Sequence, residues 1–221
     1  DGGGSTTMTA STPDSTVTQL INSPSDGSQR KVSNHLFLLA SGMPTNIPHH
    51  VYLSADAPVV LAGHTVELTA NVVDSAYFPM SEPVTLTASN GQIQGNTFIA
   101  PAQGGVVTVT ATSASGLTAS VDILVIDSPD SMTIQRGGSN ISSLTLTPGA
   151  TAELSVSVIY NHMELETVPS DFTWSVDPSL GTIDQNGVLQ AGFTEGKGYI
   201  TVTKGTSTVT IPLTIDGKSP F

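Results

Sequence analysis

The chain has 221 residues, enough for one large domain or two to three small ones. Only 11% of residues are charged, and six Lys+Arg against eighteen Asp+Glu leave a formal charge of −12, which repels phosphate polymers and disfavours nucleic acid as a partner. There is no Cys, which removes disulfides, thiolate chemistry and Cys-based zinc sites, and no run approaches the roughly 18 apolar residues of a membrane span. Thr, Ser, Val and Gly dominate, and β-branched residues with few straight-chain helix formers predict an all-β protein.

In chain order, residues 1–42 read as a strand in "TTMTAS", a turn at Pro13-Asp14, a strand in "TVTQL", a loop "INSPSDGSQRKVSN" and an apolar strand "HLFLLA". That is too little chain to bury a core of its own. From Val51 onward the pattern changes to short alternating strands between Gly, Pro, Asn and Asp. "TVELTANVVD" places Val66, Leu68, Ala70 and Val72 on one face and Glu67, Thr69 and Asn71 on the other. "TAELSVSVIY" does the same with Ala152, Leu154, Val156 and Val158, and Gly63 or Gly149 supplies a turn before each.

The likeness continues downstream as an internal repeat. "VTLTASNGQIQGNTFIA" matches "FTWSVDPSLGTIDQNGVLQA" through Gly91 and Gly181, and "GGVVTVTATSASGLTASVDILVID" matches "GKGYITVTKGTSTVTIPLTID" through Asp127 and Asp216. Asn186-Gly187 in "DQNGV" suits a two-residue type I′ hairpin turn, and Pro212 predicts that the last strand lies at a sheet edge for part of its length.

This pattern resembles tandem bacterial Ig-like domains, whose central strand reads like "FTWSVD". The expected architecture is all-β: two Ig-like β-sandwiches at 46–127 and 128–216, a tail at 217–221, and at 1–45 a segment of a different kind.

"DGGGSTTM" followed by "NSPSDGSQRKVSN" resembles the C-terminal part of the phosphodiester glycosidase family, whose bacterial members are often labelled exopolysaccharide biosynthesis proteins. The match runs through Asn22, Pro24, Ser25, Asp26, Gly27, Arg30, Val32 and Asn34, with departures at Gln29 and Lys31. The resemblance implies that 1–45 is the C-terminal fragment of an α+β catalytic domain that cleaves a sugar-phosphodiester of N-acetylglucosamine type. It also implies that most of that domain precedes Asp1, so the isolated chain is expected to be inactive.

The residue types suit such chemistry. Backbone N–H groups of Gly2, Gly3 and Gly4 can converge on phosphate oxygens, with hydroxyl donors from Ser5, Thr6 and Thr7. Arg30 presents a planar fork to a phosphodiester, and Asn22, Ser25 and Asn34 complete the expected substrate-binding set. Asp1 and Asp26 are the carboxylates for acid and base roles at the glycosidic oxygen. The plainer alternative makes Asp1-Gly-Gly-Gly a turn, Asp26-Gly27 a hairpin turn and Arg30 a surface partner of Asp26.

No cofactor and no metal ligand set is expected. His49-His50 reads as linker because adjacent residues of an extended chain point apart, and Asp127 and Asp130 offer two carboxylates for a calcium ion at the junction of the repeats. "NHMELE" reads as a solvated loop, Asn140-Ile141-Ser142 fits a glycosylation sequon, and Trp174 as core with ligand stacking as its alternative. Tyr77 and Phe78 are the best candidates for a glycan-facing pair. The expected partners are a sugar-phosphodiester or cell-envelope polysaccharide and the upstream part of the catalytic domain. The rival reading is a secreted or cell-surface adhesion or carbohydrate-binding protein.

Overall fold

The computed structural model describes residues 7–10, 18–22, 36 and 42–217. Short strands β1 (Thr9–Ala10) and β2 (Gln19–Leu20) come first, where two of the opening strands are predicted. Of the predicted strand "HLFLLA" only Leu36 is among the described residues, exposed and in no strand.

The first repeat holds β3 (Pro48–Ala55), β4 (Val59–Leu61), β5 (Thr65–Asp74), β6 (Pro79–Met80), β7 (Val84–Ala88), β8 (Gln92–Gln94), β9 (Thr97–Ile99), β10 (Gly105–Ser113) and β11 (Thr118–Ile126). The second holds β12 (Ser131–Arg136), β13 (Ser139–Asn140), β14 (Leu144–Leu146), β15 (Thr151–Glu153), β16 (Ser155–Tyr160), β17 (Met163–Leu165), a 3-10 turn (Pro169–Asp171), β18 (Thr173–Val176), β19 (Gly181–Ile183), β20 (Val188–Ala191), β21 (Gly196–Lys204) and β22 (Ser207–Ile215). The chain is thus nearly all β.

The chain divides into two compact units, Asp1–Asp56 with Glu67–Ala88 and Thr108–Val121, and Ala57–Val66 with Ser89–Val107 and Asp122–Phe221. In the first unit β3 pairs antiparallel with β5 from Ala55↔Leu68 to Pro48↔Asp74, and β7 pairs antiparallel with β10. Val51, Val72 and Ala111 form its small core, with Leu53, Met80, Val84 and Leu86 packed against them.

In the second unit one sheet runs β13-β12-β16-β17, another β14-β22-β21-β18, and a third β15-β20-β19. Their inward residues meet in one core: Ile134, Val156 and Val158 from the first sheet, Leu213, Ile215, Ile200 and Val202 from the second, and Leu189 from the third. Each such side chain contributes about 1.5–3 kcal/mol by leaving water. Leu61 and Ile126, from the first sequence repeat, belong to this same core.

The repeat is visible in the pairing. β4 lies parallel to β11 and β14 parallel to β22, so each repeat has a short strand laid against its last one. The predicted alternation holds for Ala152, Leu154, Val156 and Val158, all buried, and for Val66, Leu68 and Val72 of β5, where Ala70 is only half-buried and Val73, of the opposite parity, is buried as well. Pro212 sits where β22 has β21 on one side, because β14 flanks β22 only from Leu213 onward.

Three local expectations are corrected. "FTWSVD" is an edge strand, since β18 ends its sheet and pairs only with β21. Asn186-Gly187 is not a two-residue I′ turn: Gly187 alone has positive φ, at 72°, and the Asp184 carboxylate accepts the N–H groups of Asn186 and Val188, each at 2.9 Å, which opens a longer loop. "NHMELE" is instead a hairpin: Asn161 and His162 turn at φ 46° and 65° between β16 and β17, and both positive angles are what a I′ turn requires.

Candidate functional site

Two predicted substrate-binding residues, Thr7 and Asn22, lie among the described residues. Asp1, Gly2, Gly3, Gly4, Ser5, Thr6, Ser25, Asp26, Arg30 and Asn34 lie outside them. Thr9 pairs with Leu20 and Ala10 with Gln19, and the ladder is extended by Ile21 N–H donating to the Met8 carbonyl at 2.9 Å. Met8 N–H then donates to Oδ1 of Asn22 at 2.7 Å. The last residue of "DGGGSTTM" is therefore hydrogen-bonded to the first residue of "NSPSDG". Thr7, half-buried, is the next residue back along the first motif.

A second polar cluster lies in the second unit. The turn after β4 closes with His64 N–H donating to the Leu61 carbonyl at 3.1 Å, and Gly63 takes φ 82° there. Lys204, at the end of β21, donates through Nζ to the carbonyls of Ala62 at 2.5 Å and Asp171 at 2.7 Å. Burial lowers the Lys204 ammonium pKa from its ordinary value, against the opposing charge of Asp171. His64 Nδ1 lies 3.0 Å from Asp171 Oδ2. A cleft of about 460 Å³ beside the cluster is lined by Gly63, Asp127, Ser128, Lys204 and Thr206. Its charges are already engaged, Lys204 on the two carbonyls and Asp127 Oδ2 on Gly104 N–H at 2.8 Å.

In the first unit, buried Asp74 organises the loop that carries Tyr77 and Phe78. Its carboxylate accepts N–H bonds from Thr45 at 2.5 Å, Asn46 at 3.3 Å, and Ala76 and Phe78 at 2.9 Å each. Burial pushes its pKa up, the four donors together outweigh this, and the net shift is downward. Tyr77 is 69% exposed at φ 63° while Phe78 is half-buried, so only one of the pair faces solvent freely. Trp174 is core: it is 7% exposed and its Nε1–H donates to the Pro169 carbonyl at 2.8 Å.

His49 and His50 are exposed on β3, and no group of three or more His, Asp or Glu side chains among the described residues is placed to hold a metal ion. The sequence pattern did not single out Asp74, His64, Asp171 or Lys204. Asp74 carried one usable signal, an Asp-Ser-Ala run after an apolar strand, which is the composition of a side-chain-closed turn.

Residues 138–215 match the bacterial Ig-like domain (group 2) family, so such a domain is present in the second repeat. No curated protein matches the chain. Among solved structures, a surface-layer protein is similar at 18% identity over 77% of this chain and 27% of its own, with a TM-score of 0.33. Invasin, a bacterial integrin-binding protein, is similar at 16% identity over 77% of this chain and 40% of its own, with a TM-score of 0.30. A Yersinia pseudotuberculosis adhesin is similar at 15% identity over 75% of this chain and 58% of its own, with a TM-score of 0.32. The chain thus spans about a quarter of the length of the surface-layer protein. Among the described residues no helix is long and apolar enough to cross a membrane.

Proposed function

We propose that residues 1–45 contribute to a sugar-phosphodiester-cleaving site and that Ig-like modules at 46–127 and 128–216 display it in a secreted or surface-bound bacterial protein. The observation that supports this reading is the Met8–Asn22 hydrogen bond at 2.7 Å, which draws the two motif segments together across the β1–β2 ladder. In this reading the N–H groups of Gly2, Gly3 and Gly4, the hydroxyls of Ser5, Thr6 and Thr7, and the Arg30 guanidinium hold the phosphodiester. Asn22, Ser25 and Asn34 complete the substrate-binding set in this reading. One of Asp1 and Asp26 assists a water that adds to the anomeric carbon. The other protonates the bridging oxygen, so the glycosidic C–O bond breaks and a phosphate monoester leaves with the electron pair.

The test is sugar release from a synthetic N-acetylglucosamine-1-phosphodiester by the native full-length polypeptide. Release is expected, with Asp1→Asn and Arg30→Ala each abolishing it while the circular dichroism spectrum is unchanged. An intact diester after incubation with the folded polypeptide would overturn the reading.

A second reading, an adhesion or carbohydrate-binding surface module, is favoured by the exposed ring of Tyr77, 69% accessible at the tip of the Asp74 loop. It predicts glycan binding that Tyr77→Ala removes. Binding that survives this substitution would discard Tyr77 as its contact.

A further inference from the structure

The turn between β4 and β5 is gripped twice from distant parts of the chain. One grip is the imidazole of His64 on Asp171, 107 residues away, and the other is Lys204 on the carbonyl of Ala62, 142 residues away. The His64 and Asp171 side chains are 14% and 6% exposed, so their contact is shielded from water. Asp171 is held in place independently. It closes the 3-10 turn, and its Oδ2 also accepts the Val168 N–H at 2.8 Å. The carboxylate is thus fixed in place, and the imidazole is a group that gains or loses a proton near neutral pH.

We infer that the His64–Asp171 contact is a proton-dependent latch on the β4–β5 turn, tight when the imidazole is protonated and loosened when it is neutral, with Lys204 as the second grip on the same turn. The groups facing His64 are Asp171 on the 3-10 turn, Glu166 after β17 and Lys204 on β21. The hydrogen bond to Asp171 raises the imidazole pKa, burial lowers it, the charges of Asp171 and Glu166 raise it and that of Lys204 lowers it, leaving it above 6.5. A folded-state value above the unfolded one means that the latch contributes fully below pH about 6.5 and is lost as pH rises through the folded value.

The Gly63 amide donates to the Ala100 carbonyl at 3.2 Å and reports opening of the turn. The experiment follows its hydrogen exchange in the intact chain from acidic to alkaline pH, corrected for intrinsic rates, beside an NMR titration of His64. His64 is expected to titrate above 6.5, and Gly63 protection to fall by the ratio of the acid constants of the opened and closed forms. In His64→Gln, protection stays at the alkaline level at every pH, and Asp171→Asn returns the His64 value toward 6.5. A His64 value at or below 6.5, pH-independent protection in the wild type, or an equal fall in His64→Gln would overturn the latch. If His64→Gln fails to fold, the wild-type titration and exchange decide on their own.

Discussion

Replacing Lys204 by Met keeps the aliphatic stem and removes the ammonium. The structure fixes what is lost: two charge-assisted bonds, to Ala62 O at 2.5 Å and Asp171 O at 2.7 Å. Hydrogen bonds to charged groups are each worth about 1.5–3 kcal/mol net, and burying the ammonium costs part of that back. The expected loss is therefore about 1–3 kcal/mol, with the two carbonyls left to find water. Urea unfolding followed by tryptophan fluorescence reads it directly, because Trp174 is the single Trp of the chain and lies in the core of the second unit. Lys197→Met is the control, since Lys197 is exposed and such changes stay within about 0.5 kcal/mol. If Lys204→Met and Lys197→Met unfold at the same urea concentration, the two carbonyl bonds contribute nothing and the reasoning fails.

Gly187→Ala places a methyl against the Leu154 carbonyl at φ 72° and is expected to cost more than about 2 kcal/mol, whereas Gly63→Ala, at φ 82° with open space, costs only about 1–2 kcal/mol; paired urea curves compare them. Trp174→Phe removes the bond to Pro169 O and part of a buried ring, for about 1–3 kcal/mol read by far-ultraviolet circular dichroism. The lowered pKa of Asp74 means its ionised form contributes stability above the unfolded value of 3.8, and this is lost as pH falls through the folded value. Melting temperature against pH should accordingly fall less steeply on the acid side in Asp74→Asn than in the wild type. A slope equal to that of the wild type would remove Asp74 from the acid response.

Period-two alternation finds the inward face of β15 and β16, where Ala152, Leu154, Val156 and Val158 recur every second residue and all are buried, and most of that of β5, where Val66, Leu68 and Val72 are buried but Ala70 is half-buried. Gly63 and Gly149 were readable as turns for an equally local reason, and both take positive φ, at 82° and 75°. What alternation does not encode is which strand lies beside which. By its resemblance to the Ig-like pattern β18 is expected to be a central strand, yet it ends its sheet. Turn type escaped where a side chain overrode the dipeptide: Asp184 captured two amides and lengthened the loop, while Asn161-His162 made the tight turn without a glycine. The His64–Asp171 and Lys204–Ala62 contacts span 107 and 142 residues, and no periodic signal reaches that far. In the candidate site the Met8–Asn22 bond spans only 14 residues, but nothing in the residue types of the two motifs specifies that pairing. Of the predicted site residues only Thr7 and Asn22 are described, and the rest fall outside the described set.

The most direct test of a sugar-phosphodiester-cleaving site is the fate of the bridging oxygen. The native full-length polypeptide would hydrolyse an N-acetylglucosamine-1-phosphodiester in water labelled with heavy oxygen, and the products would be weighed by mass spectrometry. Attack at the anomeric carbon puts the label in the sugar hydroxyl and leaves the phosphate monoester light. Label in the phosphate, or no product at all, would contradict a glycosidic cleavage built on these two motifs.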